Sequence, residues 1–290
     1  MADPNPKKKS PRRFDLVDRG DKQPTPLGTL TFVGLRLLDL PLQHLLLSSG
    51  GTALGARLLA RAGIGRALLA GPPVPPLLQT GLPFVDVLWH PTHLLLLLMA
   101  GGGAAKQIYW QTAVSPQSFP ARAAAAVAAY NTVFNGANAL LFLAWATTSL
   151  RSRPAVDVYV PYGVRGGTLP VPLSTAVGVL MYVVGLALET AAERQRQKFK
   201  DAPGNEGKVC KVGVWRWARH VNYLGYSLWR GGYTMVATGW VGGLLMAGWQ
   251  MYDLGHRAAG VLDDYCSNRY KEQWAQFKRE VPYKIIPGIY

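Results

Sequence analysis

Charged side chains are scarce in this chain of 290 residues. Asp, Glu, Lys and Arg make up 16% of it, against roughly 25% in soluble domains. Apolar residues account for 49%. This balance excludes intrinsic disorder over most of the length. The composition predicts a polytopic membrane protein, and the length suits one membrane domain of roughly five to seven helices.

Acidic residues are fewer than basic ones. The chain has 16 Asp and Glu and 31 Lys and Arg, which gives a formal net charge of +15. A basic excess spread along a polar chain would indicate nucleic-acid binding. Here the cations lie in blocks between apolar stretches, as on the cytoplasmic side of membrane proteins. We therefore expect membrane lipids as partners, and no nucleic acid. The sequence does not indicate an oligomeric state.

Cysteine is nearly absent, with only Cys210 and Cys266. Two cysteines cannot build a disulfide framework, and these two lack the spacing of metal ligands. We expect free thiols.

The alternation of apolar and polar residues that marks β-strands is also missing, so helices are the structure that satisfies the backbone in lipid. We predict an all-α, polytopic integral membrane protein with about six transmembrane helices. Residues 1–26 are expected to form a disordered, basic cytoplasmic tail, and residues 27–190 to form membrane helices around a substrate cavity.

Apolar stretches locate the predicted spans. They run over about 27–49, 84–103, 123–149 and 171–190, and a further stretch covers 224–254. The last one is too long for a simple span, and Gly239 with its neighbouring glycines allows a tight helical hairpin. Residues 150–170 are predicted to be a polar loop.

Ionisable residues at the start of the second predicted span are functional candidates. Asp86, His90 and His93 follow one another at intervals of four and three residues, so on one helix they share a face. Either a substrate role or interfacial capping fits them. A metal site is disfavoured by the His-Pro-Thr-His break, and we assign no metal. His90 is taken as a candidate catalytic residue, and Asp86 and His93 as candidate substrate contacts.

Three asparagines form a polar stripe in the third predicted span. Asn131, Asn135 and Asn138 occur at i, i+4 and i+7. Amides buried in lipid need hydrogen-bond partners. The stripe predicts either hydrogen bonds between helices or the polar end of a substrate cavity.

The densest polar motif is Trp217-Ala-Arg-His-Val-Asn-Tyr-Leu-Gly225, at the entry to the last apolar stretch. Arg219 can hold a phosphate in a bidentate manner, and His220, Asn222 and Tyr223 can orient an amide or a sugar. The alternative is a basic and aromatic belt of the kind found at the ends of membrane helices.

This motif, followed by Trp229, resembles the signature of the membrane steroid and sterol reductase superfamily. The resemblance extends over roughly 185–290 and includes an upstream and a C-terminal segment: Glu189, Glu193, Gln195, Arg196, Phe199, Pro203, Asn205, Gly207 and Lys208, then Cys266, Arg269, Tyr270, Trp274 and 281–290.

The resemblance implies that residues 191–290 form a cofactor-binding region that takes NADPH from the cytoplasmic side. The residues it places at the cofactor are Asn205, Lys208, Arg219, His220, Asn222, Tyr223, Asp263, Arg269, Tyr270, Tyr283 and Lys284. It further implies hydride transfer and protonation at a carbon–carbon double bond of a sterol, steroid or terpenoid enone. Glu189 and Tyr226 are candidate catalytic residues, and Trp229 is a candidate substrate contact. We expect the endoplasmic reticulum membrane, with both termini in the cytoplasm.

Tyr226 stands where reductases of this superfamily commonly have an acidic residue, and Val221 replaces a frequent proline. Isoprenylcysteine carboxyl methyltransferases share Arg-His-x-x-Tyr-x-Gly and often lack that acid, so an S-adenosylmethionine-dependent methyltransferase is the alternative. The segment from Gln195 to Lys208 and the Val-Pro-Tyr-Lys ending favour the reductase. A membrane protein that binds sterol without turnover is the second alternative.

Overall fold

A computed structural model gives the fold of the chain. It describes residue 21 and residues 23–48, 53–64, 82–86, 88, 91–115, 117–144, 156–162 and 167–290. His90 and most of the predicted tail lie outside the described residues.

Helices form the first half of the described chain: α1 (Pro26–Leu47), α2 (Leu54–Arg61), α3 (Pro83–Asp86), α4 (Pro91–Tyr109) and α5 (Ala121–Leu143). A π-helical turn over Trp110–Val114 extends α4. The helical prediction is confirmed for these segments, but the predicted single helix from residue 84 is wrong. Asp86 ends α3, and α4 begins only at Pro91, because proline is suited to the first turn of a helix.

The predicted loop over residues 150–170 is also wrong in its second half. Two antiparallel strands, β1 (Asp157–Tyr162) and β2 (Gly167–Pro172), form a hairpin in which Val158 pairs with Val171. Prolines at 161, 170 and 172 obscure the strand pattern in the sequence. A two-stranded hairpin tolerates them because each strand has a free edge.

Helix α6 (Leu173–Asp201) begins directly after the hairpin and continues for eleven residues beyond the predicted end of the span, 190. Its apolar part crosses the molecule, and its polar part extends to the C-terminal segments. Helix α7 (Val221–Asp253) runs antiparallel to it. A methyl group placed on Gly225 would lie 2.6 Å from the backbone nitrogen of Glu189, so the two helices touch backbone to backbone.

Helix α7 reverses direction at Gly239, whose φ of 78° is available to glycine at little cost. A methyl group on Gly231 would lie 2.6 Å from the Cβ of Ala247. Sixteen residues of straight helix would separate those positions by about 24 Å. The two halves of α7 therefore pack against each other as a helical hairpin.

The C-terminal part contains a 3-10 turn before α7 and three helical segments after it. These are the turn Gly213–Arg216, the π-helical turn Leu254–Ala258, α8 (Ala259–Tyr270) and α9 (Glu272–Glu280).

The surface is apolar where the helices face outward, and polar residues are buried between them. Large exposed apolar residues include Leu27, Leu30 and Leu38 of α1, Leu180 and Val183 of α6, and Leu244 and Leu245 of α7. Buried polar residues include Arg36, Asp39, Asn131, Asn135 and Arg230. This arrangement is typical of helices surrounded by lipid. Two described helices, Pro26–Leu47 and Leu173–Asp201, are long and apolar enough to cross a membrane. The count of about six spans stays a prediction.

The contact between α6 and α7 provides a stability test. We expect Gly185→Ala to destabilise the protein by about 1–3 kcal/mol, because the added methyl group would lie 2.6 Å from the Gly225 carbonyl oxygen in a close-packed contact. Gly248→Ala is the matched control in α7, since a methyl group there meets nothing within 4 Å. It should be neutral or add up to about 1 kcal/mol of stability. Unfolding of the two variants in detergent measures the difference, and equal stabilities would contradict it.

Candidate functional site

The C-terminal segment is hydrogen-bonded to the residues that precede α7. The backbone N–H groups of Arg219 and His220 donate to the carbonyl oxygens of Tyr283 (3.0 Å) and Lys284 (2.8 Å). The Arg219 guanidinium donates through Nη1 to the carbonyl oxygens at Val281 (2.6 Å) and Pro282 (2.8 Å). The fold thus brings together two motifs that are sixty residues apart in the sequence.

A cavity opens beside this junction, between the polar end of α6 and helices α8 and α9. It is lined by Arg196, Lys200, Val209, Cys210, Trp215, Arg219, Leu262, Tyr265, Cys266, Tyr270, Trp274 and Phe277. Three of these residues are cations, and none of the described lining residues is acidic. Both cysteines are buried, neither forms a disulfide, and they belong to the wall. The cavity is suited to an anionic ligand with flat, aromatic parts.

Aromatic rings pack against two of the three cations in the wall of this cavity. Lys200 Nζ lies 4.6 Å from the centre of the Tyr270 ring and donates to its hydroxyl group at 2.8 Å. The Arg196 guanidinium lies 5.9 Å from the Trp215 ring, and the Trp215 indole N–H donates to the Ala192 carbonyl oxygen. These contacts position positive charge without neutralising it.

His220 is buried, and its ring stacks on that of Tyr223 with 5.1 Å between centres and 9° between planes. Burial, reinforced by Arg219 and Lys284, lowers the pKa of His220 to about 3. Its Nδ1 atom has no hydrogen-bond partner among the described residues, and neither has Oδ1 of Asn222. The Asn222 amide N–H donates to Glu193 at 2.8 Å. Two buried polar atoms of the motif are therefore unpaired among the described residues, but His220, Asn222 and Tyr223 do not line the cavity.

The lowered pKa of His220 predicts a pH dependence of stability. The unfolded chain, with an ordinary pKa of about 6.5, binds the proton that the folded chain excludes. The stabilisation is complete above about pH 6.5 and is lost as the pH falls towards 3. Between pH 7.5 and 5, wild type should lose about 2 kcal/mol more than His220→Gln. Unfolding curves at both pH values measure this, and equal losses would contradict it.

On the membrane side of the motif, three predicted residues meet. The Trp229 indole N–H donates to Glu189 at 2.8 Å, and the Tyr226 ring lies 5.1 Å from the Trp229 ring. Glu189 also forms an ion pair with Lys106 of α4, a residue that the sequence analysis missed. Glu189 lies near the middle of α6 and joins α4 and α7 there.

Polar residues of α1, α4, α5 and α7 form one buried network, here called the interior polar cluster. Its members are Arg36, Asp39, Gln43, Gln107, Asn131, Asn135 and Arg230. Asn131 accepts hydrogen bonds from Arg230 and from Gln107 (2.9 Å), and Asn135 donates to Asp39 at 2.7 Å. The asparagine stripe therefore joins four helices. Asn138 is buried on the same face of α5.

Other predicted residues lie apart from the cavity or at its edge. His93 packs edge-to-face on Phe142 at 5.2 Å, and Asp86 is on the separate helix α3. The predicted shared face of Asp86, His90 and His93 is therefore wrong for Asp86 and His93, since Pro91 starts a new helix. Asn205 and Lys208 form a turn, and neither side chain lines the cavity.

The remaining predicted residues surround the cavity. Asp263 accepts hydrogen bonds from the lining residue Trp274 (2.6 Å) and from Lys278 (3.4 Å). Arg269 is exposed, and it donates to the hydroxyl group of Tyr265. Tyr283 is exposed, whereas Lys284 donates to the Gly255 carbonyl oxygen at 3.2 Å.

Comparison with known proteins supports the resemblance. Residues 156–281 match the family model described as "Protein of unknown function (DUF1295)". The chain is 34% identical over 256 residues to the "Probable O-methyltransferase ustE" of Ustilaginoidea virens. The aligned region covers 88% of this chain and 84% of that protein. It is 30% identical over 140 residues to the Delta(14)-sterol reductase of Arabidopsis thaliana, covering 42% of this chain and 36% of that reductase. This chain belongs to the membrane steroid and sterol reductase superfamily.

A second sterol reductase extends the match within the superfamily. The "Probable 7-dehydrocholesterol reductase" of Acanthamoeba polyphaga mimivirus is 26% identical over 174 residues, or 51% of this chain and 36% of that protein. The superfamily prediction made from the signature is confirmed. The matches to the two sterol reductases span about a third of their length.

Proposed function

We propose that this superfamily member is an NADPH-dependent reductase that reduces a carbon–carbon double bond in a lipophilic substrate, namely a sterol, steroid or terpenoid enone. The observation that carries the proposal is the cavity described above, with Arg196, Lys200 and Arg219 in its wall and no acidic lining residue among the described ones. NADPH carries a pyrophosphate and a further phosphate, so it needs several cations in one place. We also propose that the cavity opens to the cytoplasm from the endoplasmic reticulum membrane, with both termini on that side.

The charges and rings of the wall fit the groups of this cofactor, but the cavity has a volume of about 60 Å³ and must widen to take the whole molecule. Arg196, Lys200 and Arg219 would hold its phosphates, since guanidinium groups bind phosphate in a bidentate manner and lysine acts as a point charge. Trp215 and Tyr265 offer flat surfaces for its rings. The unpaired buried atoms of His220 and Asn222, which do not line the cavity as it stands, would pair with its amide or hydroxyl groups once it is bound. When bound, NADPH supplies the hydride, and the protein supplies binding and orientation.

The proton for the second carbon is assigned to the hydroxyl group of Tyr226. This group accepts a hydrogen bond from Arg230 Nε at 3.3 Å, so its own hydrogen can be donated elsewhere. Arg230 would stabilise the phenolate that remains after proton transfer. Glu189 fixes Trp229 beside Tyr226 and is itself neutralised by Lys106. In this scheme Glu189 is a positioning residue.

A methyltransferase is the second candidate, because the relative that covers 88% of this chain is named a probable O-methyltransferase. Tyr226 in place of an acidic residue also suits it. The electrostatics oppose it, since S-adenosylmethionine carries a sulfonium cation and the cavity wall is cationic. The reductase is therefore the function that the site supports better.

Ligand binding by the purified full chain in detergent distinguishes the candidates. We expect NADPH to raise the unfolding temperature and S-adenosylmethionine to leave it unchanged. Lys200→Gln should weaken NADPH binding, whereas Arg216→Gln removes the same charge from an exposed residue outside the cavity wall and should not. Oxidation of NADPH with an enone would then establish turnover. Stabilisation by the methyl donor alone would contradict the reductase, and tight NADPH binding without oxidation by any enone would favour the non-catalytic alternative.

A further inference from the structure

The interior polar cluster contains more positive than negative charge. Arg36, Asp39 and Arg230 are each at most 2% exposed. Asp39 accepts hydrogen bonds from Arg36 (2.9 Å), Gln43 (2.9 Å) and Asn135 (2.7 Å). Arg230 contacts neutral groups only among the described residues, namely Asn131, Asn135 and Tyr226. One buried positive charge is therefore left without a carboxylate.

The excess charge is accompanied by unused hydrogen-bonding capacity. The Nε atom of Arg36 is buried and has no partner among the described residues. The Arg230 guanidinium is surrounded by aromatic rings, with Trp229 at 4.5 Å and Tyr130 at 5.6 Å from its central carbon. Rings attract a cation but do not cancel its charge. A buried cation without a counter-ion is costly in a low-dielectric interior, so this position favours an incoming anion.

An apolar groove of about 450 Å³ adjoins the same part of α1. It lies between α1 and α4 and includes Leu40, His44, Leu98 and Gly101. Leu40 and His44 directly follow the cluster members Asp39 and Gln43 in the helix. A hydrocarbon chain in this groove would therefore lie against the same turns of α1 that carry Asp39 and Gln43 on their buried face.

We propose that the interior polar cluster binds the carboxylate of a lipophilic ligand, whose hydrocarbon part occupies the α1–α4 groove. A carboxylate supplies the one missing negative charge, and its two oxygens match the fork of a guanidinium group. This inference rests on the proposed function only in placing the substrate among the membrane helices. It adds a carboxylate group to the lipophilic substrate of the proposed function.

The test compares oleate with methyl oleate, two probes with the same hydrocarbon chain and different charge. Binding to the full chain in detergent is measured at about pH 8, where the carboxylate is ionised. Wild type should bind oleate at least about tenfold more tightly than the ester. Asn131→Asp adds a carboxylate inside the cluster and keeps the oxygen that accepts from Arg230 and Gln107. Arg36→Gln removes one positive charge. Both variants should lose the preference for oleate.

Arg57→Gln is the matched control, because it removes the same charge from an exposed residue of α2 and should keep the preference. Equal affinities for oleate and its ester in wild type would overturn the inference, as would a preference retained in Arg36→Gln. Should Asn131→Asp fail to fold, Arg36→Gln decides alone. NADPH binding is measured in the same samples. If wild type shows no oleate preference but binds NADPH, this inference alone is overturned. If wild type prefers oleate but does not bind NADPH, only the proposed cofactor is overturned.

Discussion

Arg219→Ala is expected to weaken the binding of NADPH about a hundredfold, or by roughly 3 kcal/mol. Arg219 lines the cation-rich cavity and also holds the carbonyl oxygens of Val281 and Pro282 at 2.6 and 2.8 Å. A charge-assisted hydrogen bond contributes about 1.5–3 kcal/mol. Removing the guanidinium group therefore eliminates a phosphate contact and releases the C-terminal segment that shapes the cavity.

The measurement is an NADPH titration of the purified variant, with its unfolding temperature as a check of folding. Arg219→Lys keeps the charge but cannot form the same fork, so we expect an intermediate affinity. Repeating the titrations in rising salt separates the two contributions of Arg219. A lost phosphate contact lowers the salt dependence of NADPH binding, whereas a displaced C-terminal segment alone does not. Unchanged affinity in Arg219→Ala would remove this residue from the cofactor site.

Of the residues predicted at the cofactor from the sequence, Arg219 and Tyr270 line the cavity, and the roles of all of them stay predictions. Backbone hydrogen bonds join Arg219 and His220 to Tyr283 and Lys284, so the motif that starts α7 and the C-terminal motif do meet, as the resemblance implied. Arg196 and Lys200 were not predicted as lining residues, although they lie four residues apart and share a helix face. The reason is that the hydrophilic segment after residue 190 was not recognised as a continuation of α6. A helix that continues out of the membrane loses its run of apolar residues but keeps the helical repeat of 3.6 residues per turn.

The membrane half was less predictable. The asparagine stripe indicated a buried polar contact, but its partner Arg230 is 99 residues from Asn131. Only the signal of an arginine inside a long apolar stretch could have drawn attention to Arg230. Local patterns also failed at Pro91, where a helix begins within a predicted span, and in the β-hairpin, where prolines mask the strands. A contact distant in sequence determined the position of the asparagine stripe, the fixed geometry of proline determined the start of α4, and free strand edges allowed the hairpin.

Asp39→Asn is expected to have the largest effect on stability, a loss of about 3–5 kcal/mol. The change leaves Arg36 and Arg230 buried without any carboxylate in the interior polar cluster as described. It also replaces an acceptor by an amide N–H group facing donors, since Asp39 accepts from Arg36, Gln43 and Asn135. Both effects destabilise the folded state, because water is not available in this interior to solvate the unpaired groups.

Asp253→Asn is the control for the effect of burial. It breaks the ion pair that Asp253 forms with Arg257, four residues further along the chain. That pair is partly exposed, so the expected loss is at most about 1 kcal/mol. The control for charge is the double variant Arg36→Gln with Asp39→Asn, whose cluster has the same net charge as wild type. We expect it to recover more than half of the loss. Unfolding of the variants in detergent measures these differences. A single Asp39→Asn variant as stable as the double variant would mean that hydrogen bonding, and not buried charge, determines the stability of this cluster.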